Sequence, residues 1–505
     1  MSSPGTAKAQ ETNLCARDFW IALAVVLPLA AVIAPYRAIH VPQMFIAAVA
    51  AMGGLLCFKL AIEDPEQLLF VFLLYIPFQK VLPGDFGGVA RAVNFTNGFL
   101  VLLFMGWLAR VKMSAGTQRD NRWTLLDFAV MAFLAILTIS MTAEAMRETG
   151  DVRYETLSDL KRWLTPFAVY FLVTAIARST RAVKKMLLAV IITTAVIGLL
   201  GVKQFWMDMG GGSRQNIDEI RIEVTSGPSN LGALFAYYLP YIVALWLSNF
   251  GRAAYWPLVF PIAWCMDSLR TTFSRGAAVA FFAGVTAVVW KKSKLLFLVM
   301  AMLVVAVAQS GDITLPYSIF GRMTSTYRAD RPGDTITDKL DESARTRVVI
   351  WKGGLEMVRE HALFGVGYGK FPSRIGEYAP EVAGKDPHNN FLKIAAEMGI
   401  PALVSFVLLL LICLWRSYRI YGKVDDALLK AMLLGYMGSV VGLMVANMFG
   451  SRLDSDEITT QFWAMTGAVV LLERYVRRGQ REDWEVAPEL EERQVEAGGV
   501  DHADT

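Results

Sequence analysis

The chain of 505 residues is 55 % hydrophobic and only 19 % charged, with a formal charge of +4 and a mean hydropathy of +0.42. Soluble domains carry about a quarter charged residues, so this composition excludes an ordinary water-soluble enzyme. The basic residues cluster in short segments between apolar stretches, which reads as membrane topology and argues against nucleic-acid binding.

Apolar stretches long enough to cross roughly 30 Å of hydrocarbon as helices recur from end to end. In chain order the predicted spans are 18–34, 43–60, 66–82, 94–110, 124–142, 162–180, 184–203, 228–247, 254–268, 274–290, 294–309, 391–415, 428–448 and 459–474. Ile21 to Ile33 reads as the first span rather than a cleaved leader, because Glu11, Arg17 and Asp18 precede it. Pro77 predicts a kink or a partly re-entrant course in the third. Polar Asp267-Ser268-Leu269-Arg270-Thr271-Thr272 separates the ninth from the tenth. The fold class is therefore all-α: a polytopic transmembrane helical bundle of about 12–14 spans with one large extracytoplasmic loop containing short helices.

Charge sets the expected orientation. With the N-terminus in the cytosol, the inside segments hold Lys59; Arg110, Lys112, Arg119 and Arg122; Arg178, Arg181, Lys184 and Lys185; Arg252; and Lys291, Lys292 and Lys294. Arg416, Arg419, Lys423 and Lys430 follow, then Arg474, Arg477, Arg478 and Arg481 in the tail. Every inside segment is basic, as the positive-inside rule requires. The expected organisation is a cytosolic segment 1–17, a bundle 18–308, an extracytoplasmic loop 309–390, spans 391–474 and a cytosolic tail 475–505. The first 15 residues and the charged tail after Arg481 are expected to be disordered and without function.

The loop 309–390 has 11 basic and 11 acidic residues, so it is neutral and no polybasic clamp. Within it Ser343 to Glu360 reads as an amphipathic helix, with Arg347, Trp351, Leu355 and Val358 at helical spacing and Ser343 as its cap. Gly365-Val366-Gly367-Tyr368-Gly369 then predicts a turn in which side chains would not fit. Cys15, Cys57, Cys265 and Cys413 lie singly, without metal or disulfide spacing.

Three positions converge on the outer face by topology: Arg275 at the start of the tenth span, Arg347 in the loop helix, and His388 just before the twelfth span. An arginine at the hydrocarbon boundary is costly unless paired or used. The plain alternatives are snorkelling to lipid phosphate for Arg275, a loop salt bridge for Arg347 and a helix-capping role for His388. The functional reading takes the three together. Guanidinium forks bind phosphate oxygens bidentately and stay charged, and a histidine neutral near pH 7 can take a proton from a sugar hydroxyl. The sequence has no H-E-x-x-H, and with arginine charge doing what a metal does elsewhere, glycosyl transfer here is expected to need no metal and no cofactor.

The motifs Ser226-Gly227-Pro228-Ser229-Asn230, Thr272-Phe273-Ser274-Arg275-Gly276-Ala277, Arg347-Val348-Val349-Ile350-Trp351, His361 to Phe371 and His388 to Gly399 occur in this order. In that order and spacing, over roughly Gly227 to Asn447, the chain resembles the O-antigen ligase and O-antigen polymerase superfamily of bacterial envelope enzymes. The resemblance implies a membrane glycosyltransferase of the inner membrane with its active site facing the periplasm. Its donor would be an undecaprenyl-pyrophosphate-linked glycan and its acceptor lipid A-core or another lipid-linked glycan, among membrane lipids. By motif position Arg275 and Arg347 would grip the donor pyrophosphate, with Arg322, Arg328 and Arg345 as further donor-binding residues. His388 would activate the acceptor, and Asn230, Trp351 and Asn389 would support the site. Two departures stand out: His361-Ala362-Leu363 replaces the family's His-Pro-Leu, and fourteen spans exceed the usual twelve.

The implied reaction is a single displacement with inversion, the polyprenyl pyrophosphate leaving against the arginines. Arg-x-x-x-Trp and the glycine turn lean towards the ligase, with a polymerase as the alternative because the motifs are shared. A transporter is the competing class, but the sequence shows neither an internal repeat nor matched Gly/Pro-broken helices.

Overall fold

A computed structural model describes residues 43–79, 95–113, 123–149, 154–210, 222, 224, 227–309, 339–453 and 455–479. The described residues are helical, with no strand, as expected for a polytopic helical membrane protein. In chain order the helices are α1 (Gln43–Glu63), α2 (Pro65–Tyr75), α3 (Phe95–Met113), α4 (Leu125–Thr149), α5 (Tyr154–Ile176), α6 (Thr180–Gly210), α7 (Pro228–Ser248) and α8 (Val259–Thr271). They continue with α9 (Arg275–Lys292), α10 (Lys294–Gln309), α11 (Glu342–Glu360), α12 (Phe371–Arg374), α13 (Asn390–Met398), α14 (Ile400–Tyr421), α15 (Ala427–Ala446) and α16 (Asp456–Arg477). The predicted first span and the charged tail lie outside the described residues.

Five of the described helices are long and apolar enough to cross a membrane: Leu125–Ala143, Thr180–Asp208, Pro228–Ser248, Ile400–Tyr421 and Ala427–Ala446. Large apolar side chains such as Leu56, Phe260, Leu295 and Leu408 point outward, which hydrocarbon tolerates and water does not. The predicted irregularity at Pro77 is present: α2 ends at Tyr75 and gives way to a 3-10 turn, Ile76–Phe78.

The chain forms two compact units. The first comprises residues 1–123, 169–192 and 464–505. There Glu66 in the first turn of α2 accepts the Arg178 backbone N–H at 2.7 Å, Lys185 donates to Gln67 at 2.7 Å, and Arg110 lies 3.6 Å from Asp64 and 3.8 Å from Glu66. Charges in this apolar unit are thus compensated by one another.

The second unit comprises residues 124–168 and 193–463. At its centre α7, α9 and α15 approach until backbone meets backbone. A Cβ on Gly442 would lie 2.3 Å from the Ala236 carbonyl oxygen, and one on Gly438 2.8 Å from that of Gly284. Small residues permit this contact, which replaces the hydrophobic driving force that lipid cannot supply.

The loop builds a separate small core from Ile350, Met357, Phe371, Ile375, Leu392 and Ala396, among others. Three expectations are corrected here. Asp341, not Ser343, caps α11, its carboxylate accepting the Ala344 N–H at 2.7 Å. Of the predicted apolar stripe Val358 is buried and Leu355 is exposed, because the face turned to the loop core runs through Ile350, Gly353, Gly354 and Met357. The predicted span 391–415 is also two helices. Gly399, at φ +89°, separates α13 from α14, and α13 contributes to the loop core. A side chain at 399 would lie 2.2 Å from the Leu363 carbonyl oxygen, so glycine is required by space as well as by φ. From α4, the Ser140 hydroxyl sits between the carbonyls of Phe364 (2.8 Å) and Met398 (2.5 Å), its single proton shared between them.

Candidate functional site

In α11, Arg347 and Trp351 stand four residues apart and therefore on one face. The Trp351 indole N–H donates to the Pro387 carbonyl at 2.8 Å, fixing the turn that carries His388. The His388 backbone N–H donates to Asp386 Oδ1 at 2.9 Å, and the Asn390 N–H donates to the Asn447 carbonyl at 2.7 Å. The residue that caps α13 is Asn389, whose Oδ1 accepts from Phe391 and Leu392 at 3.1 Å each. The capping alternative for His388 is thereby removed, and its side chain is left for other work.

Among the described residues only Phe273 (φ 52°) and His388 (φ 48°) are non-glycine residues with positive φ. Such strain persists where surrounding contacts over-determine the backbone, and it gathers at functional sites. Both lie in the motifs singled out above. Phe273 precedes Ser274, the cap of α9, and so sets where Arg275 begins the helix. Arg275 Nη1 then donates to Asp341 Oδ2 at 2.5 Å. One carboxylate therefore caps α11 and binds Arg275, tying the start of α9 to the helix that bears Arg347.

Arg347 is half-buried, and among the described residues it makes no hydrogen bond or ion pair through its side chain. Burial lowers its pKa, the Arg275 charge adds to the lowering, and Asp341 opposes it. The His388 imidazole is 50 % exposed, with Nδ1 3.6 Å from Asp386 Oδ1, beyond hydrogen-bond range. Its pKa lies below the ordinary histidine value because of burial, with Asp386 raising it and Arg347 and Arg452 lowering it.

Arg452 escaped the sequence reading, although it sits in a short polar turn, Gly450-Ser451-Arg452, between two apolar stretches, where the boundary argument made for Arg275 applies equally. Asp386 was missed as well. Its Oδ1 also accepts the Ser451 hydroxyl at 2.8 Å, and Lys393 Nζ lies 3.5 Å from Oδ2. Asn230, at the start of α7, accepts from Arg452 Nη1 at 2.6 Å and donates to Ser455 at 3.0 Å.

The structure thus brings Arg275, Arg347, His388, Asn230, Trp351 and Asn389 into one connected set. Arg345 is exposed and lies two residues from Arg347, about 200° around the helix, on its opposite side. Arg322 and Arg328 lie outside the described residues. Cationic forks beside a largely neutral imidazole can bind a polyanion and accept a proton next to it.

Residues 262–407 match the O-antigen ligase family model. This segment belongs to the O-antigen ligase superfamily. No curated protein is significantly similar to the chain. The O-antigen ligase segment contains Arg275, Asp341, Arg347, Trp351, Asp386, His388 and Asn389, and it supports an activity of the O-antigen ligase or polymerase type in general for a multi-pass membrane protein. Asn230 and Arg452 fall outside the matched O-antigen ligase segment.

Proposed function

We propose that the protein transfers a glycan from a polyprenyl-pyrophosphate donor to an acceptor hydroxyl, with lipid A-core as the acceptor, at the periplasmic face of the bacterial inner membrane. The observation that carries this reading is the pairing of a half-buried Arg347, without an ion pair among the described residues, with His388, joined through the Trp351–Pro387 hydrogen bond. Orientation rests on the basic segments that alternate with the spans.

In the reaction His388 takes the proton of the acceptor hydroxyl. The nearness of Asp386 to Nδ1 favours the tautomer that carries its proton there, leaving Nε2 as the base. The acceptor oxygen forms its bond to the anomeric carbon as the bond from that carbon to the pyrophosphate oxygen breaks, with inversion. The electron pair leaves on the polyprenyl pyrophosphate, whose charge Arg347 stabilises together with Arg275, the arginines supplying the charge without a metal. A polymerase would differ only in its acceptor, a second lipid-linked glycan.

Reconstitution with an undecaprenyl-pyrophosphate glycan and each acceptor separately, in EDTA, tests the proposal. Glycan on lipid A-core is the expected product. Longer lipid-linked chains instead would replace ligase by polymerase, and activity lost in EDTA and restored by Mg²⁺ would overturn the metal-free mechanism.

A further inference from the structure

We infer that Arg452 is a further phosphate-binding arginine of this site, acting with Arg347 and Arg275 on the pyrophosphate of the donor. The inference rests on the donor reading above and extends it to a residue beyond the matched segment.

The placement of Arg452 is built, not incidental. Its backbone N–H is directed to Asn447 Oδ1 (3.4 Å) at the end of α15, and its Nη1 donates to Asn230 Oδ1 (2.6 Å) at the start of α7. Asn447 is itself anchored, donating to the Tyr237 hydroxyl and to the Leu443 carbonyl, each at 2.8 Å. The guanidinium lies flat over Gly450, where a Cβ would meet Nε, Nη2 and Cζ at 2.5–2.7 Å. Two helices and one glycine thus hold the fork in a fixed orientation.

Among the described residues no ion pair neutralises its charge. The side chain is hydrogen-bonded to a neutral amide, and among the described residues no carboxylate is within ion-pair range of it. Asp386, whose charge it feels, is already engaged by the His388 N–H, Ser451 and Lys393. Among the described residues Arg347 is likewise without an ion pair, and each of the two guanidiniums is partly buried. The two also repel: the charge of Arg347 disfavours that of Arg452. Among the described residues, two oriented, part-buried cations without an ion-paired carboxylate form a site that lacks its counter-charge. A pyrophosphate brings that charge over two phosphoryl groups, enough for one fork on each. An arginine kept only to fasten α7 to α15 would not need a charge, since a neutral amide could bond Asn230 equally well.

The test uses the purified full-length protein in detergent, with inorganic pyrophosphate as the probe and sulfate at matched ionic strength as the control anion. Wild type, R347A, R452Q, R452K and the exposed-surface control K352A are compared by binding isotherm and by unliganded melting temperature. Saturable binding by wild type and K352A is expected, weakened about 10–100-fold in R452Q, the loss expected for one charged hydrogen-bonding partner. R452K should lie between, because it keeps the charge and loses the fork. Binding by R452Q equal to wild type, with R347A defective, overturns the inference and leaves the donor reading standing. Absence of saturable binding in wild type overturns both. Should R452Q fail to fold, R452K decides, and wild-type affinity there counts against the inference.

Discussion

The Trp351 indole and the Pro387 carbonyl, 2.8 Å apart, couple the arginine-bearing helix to the histidine turn. Phenylalanine at 351 removes the N–H and keeps an aromatic ring, though a smaller one. W351F should fold, with a loss of about 1 kcal/mol of stability. Its kcat should fall further than its donor KM rises, because the bond places the base relative to the leaving group. Steady-state kinetics of the reconstituted enzyme check this, and a kcat equal to wild type would show that the bond does not position His388.

Arg347→Ala should abolish transfer while leaving expression and membrane insertion intact. Loss of a donor to developing negative charge costs about 10²–10³ in rate. Lysine should rescue only in part, since the bidentate fork is gone. Retention of more than about a tenth of wild-type turnover by purified R347A would contradict the pyrophosphate role.

The base must be neutral to accept a proton, so the rate should fall on the acidic side. Burial and two neighbouring arginines hold the His388 pKa below its ordinary value of 6.5, so the acid limb should lie below that pH. Withdrawing a neighbouring positive charge lets the imidazole hold its proton to higher pH. The acid limb of R452Q should therefore move upward and that of R452K should stay. A pH–rate profile in single-turnover conditions reads both shifts, and H388A should be inactive throughout. A flat wild-type profile with chemistry rate-limiting would leave His388 only a positioning role.

Gly365 and Gly384 separate the two reasons for a glycine. Both have positive φ, 72° and 78°, but a Cβ on Gly365 would lie 2.2 Å from the Glu397 carbonyl carbon, whereas one on Gly384 meets nothing within 4 Å. G384A should cost about 1–2 kcal/mol, the strain of an L-residue in the left-handed region. G365A adds a backbone collision that nothing flexible can relieve, so its melting temperature should fall clearly further. Equal melting temperatures would mean that the Gly365 turn yields without cost.

Much of the site was legible in the sequence because its residues sit where local pattern is informative. Arg275 opens a helix after a polar break, and Arg347 with Trp351 lies on one helix, as the local pattern predicted. Gly399 misled the reading of α13 and α14, because a hydropathy run continues across a glycine whose φ is set by Leu363, far away in the chain. Asp341 was overlooked as a cap because Ser343, two residues on, offers the same chemistry.

Sequence alone determined the helical membrane class, the basic segments and the family-bearing motifs, since hydrophobic runs and short motifs are local properties. Only the tertiary structure decided which charges are neutralised. Asp341 takes Arg275 and leaves Arg347, Asn389 takes the cap and leaves His388, and Asn230 brings Arg452 beside them from more than 200 residues away. Electrostatic compensation depends on distance through space, and no sequence spacing encodes it.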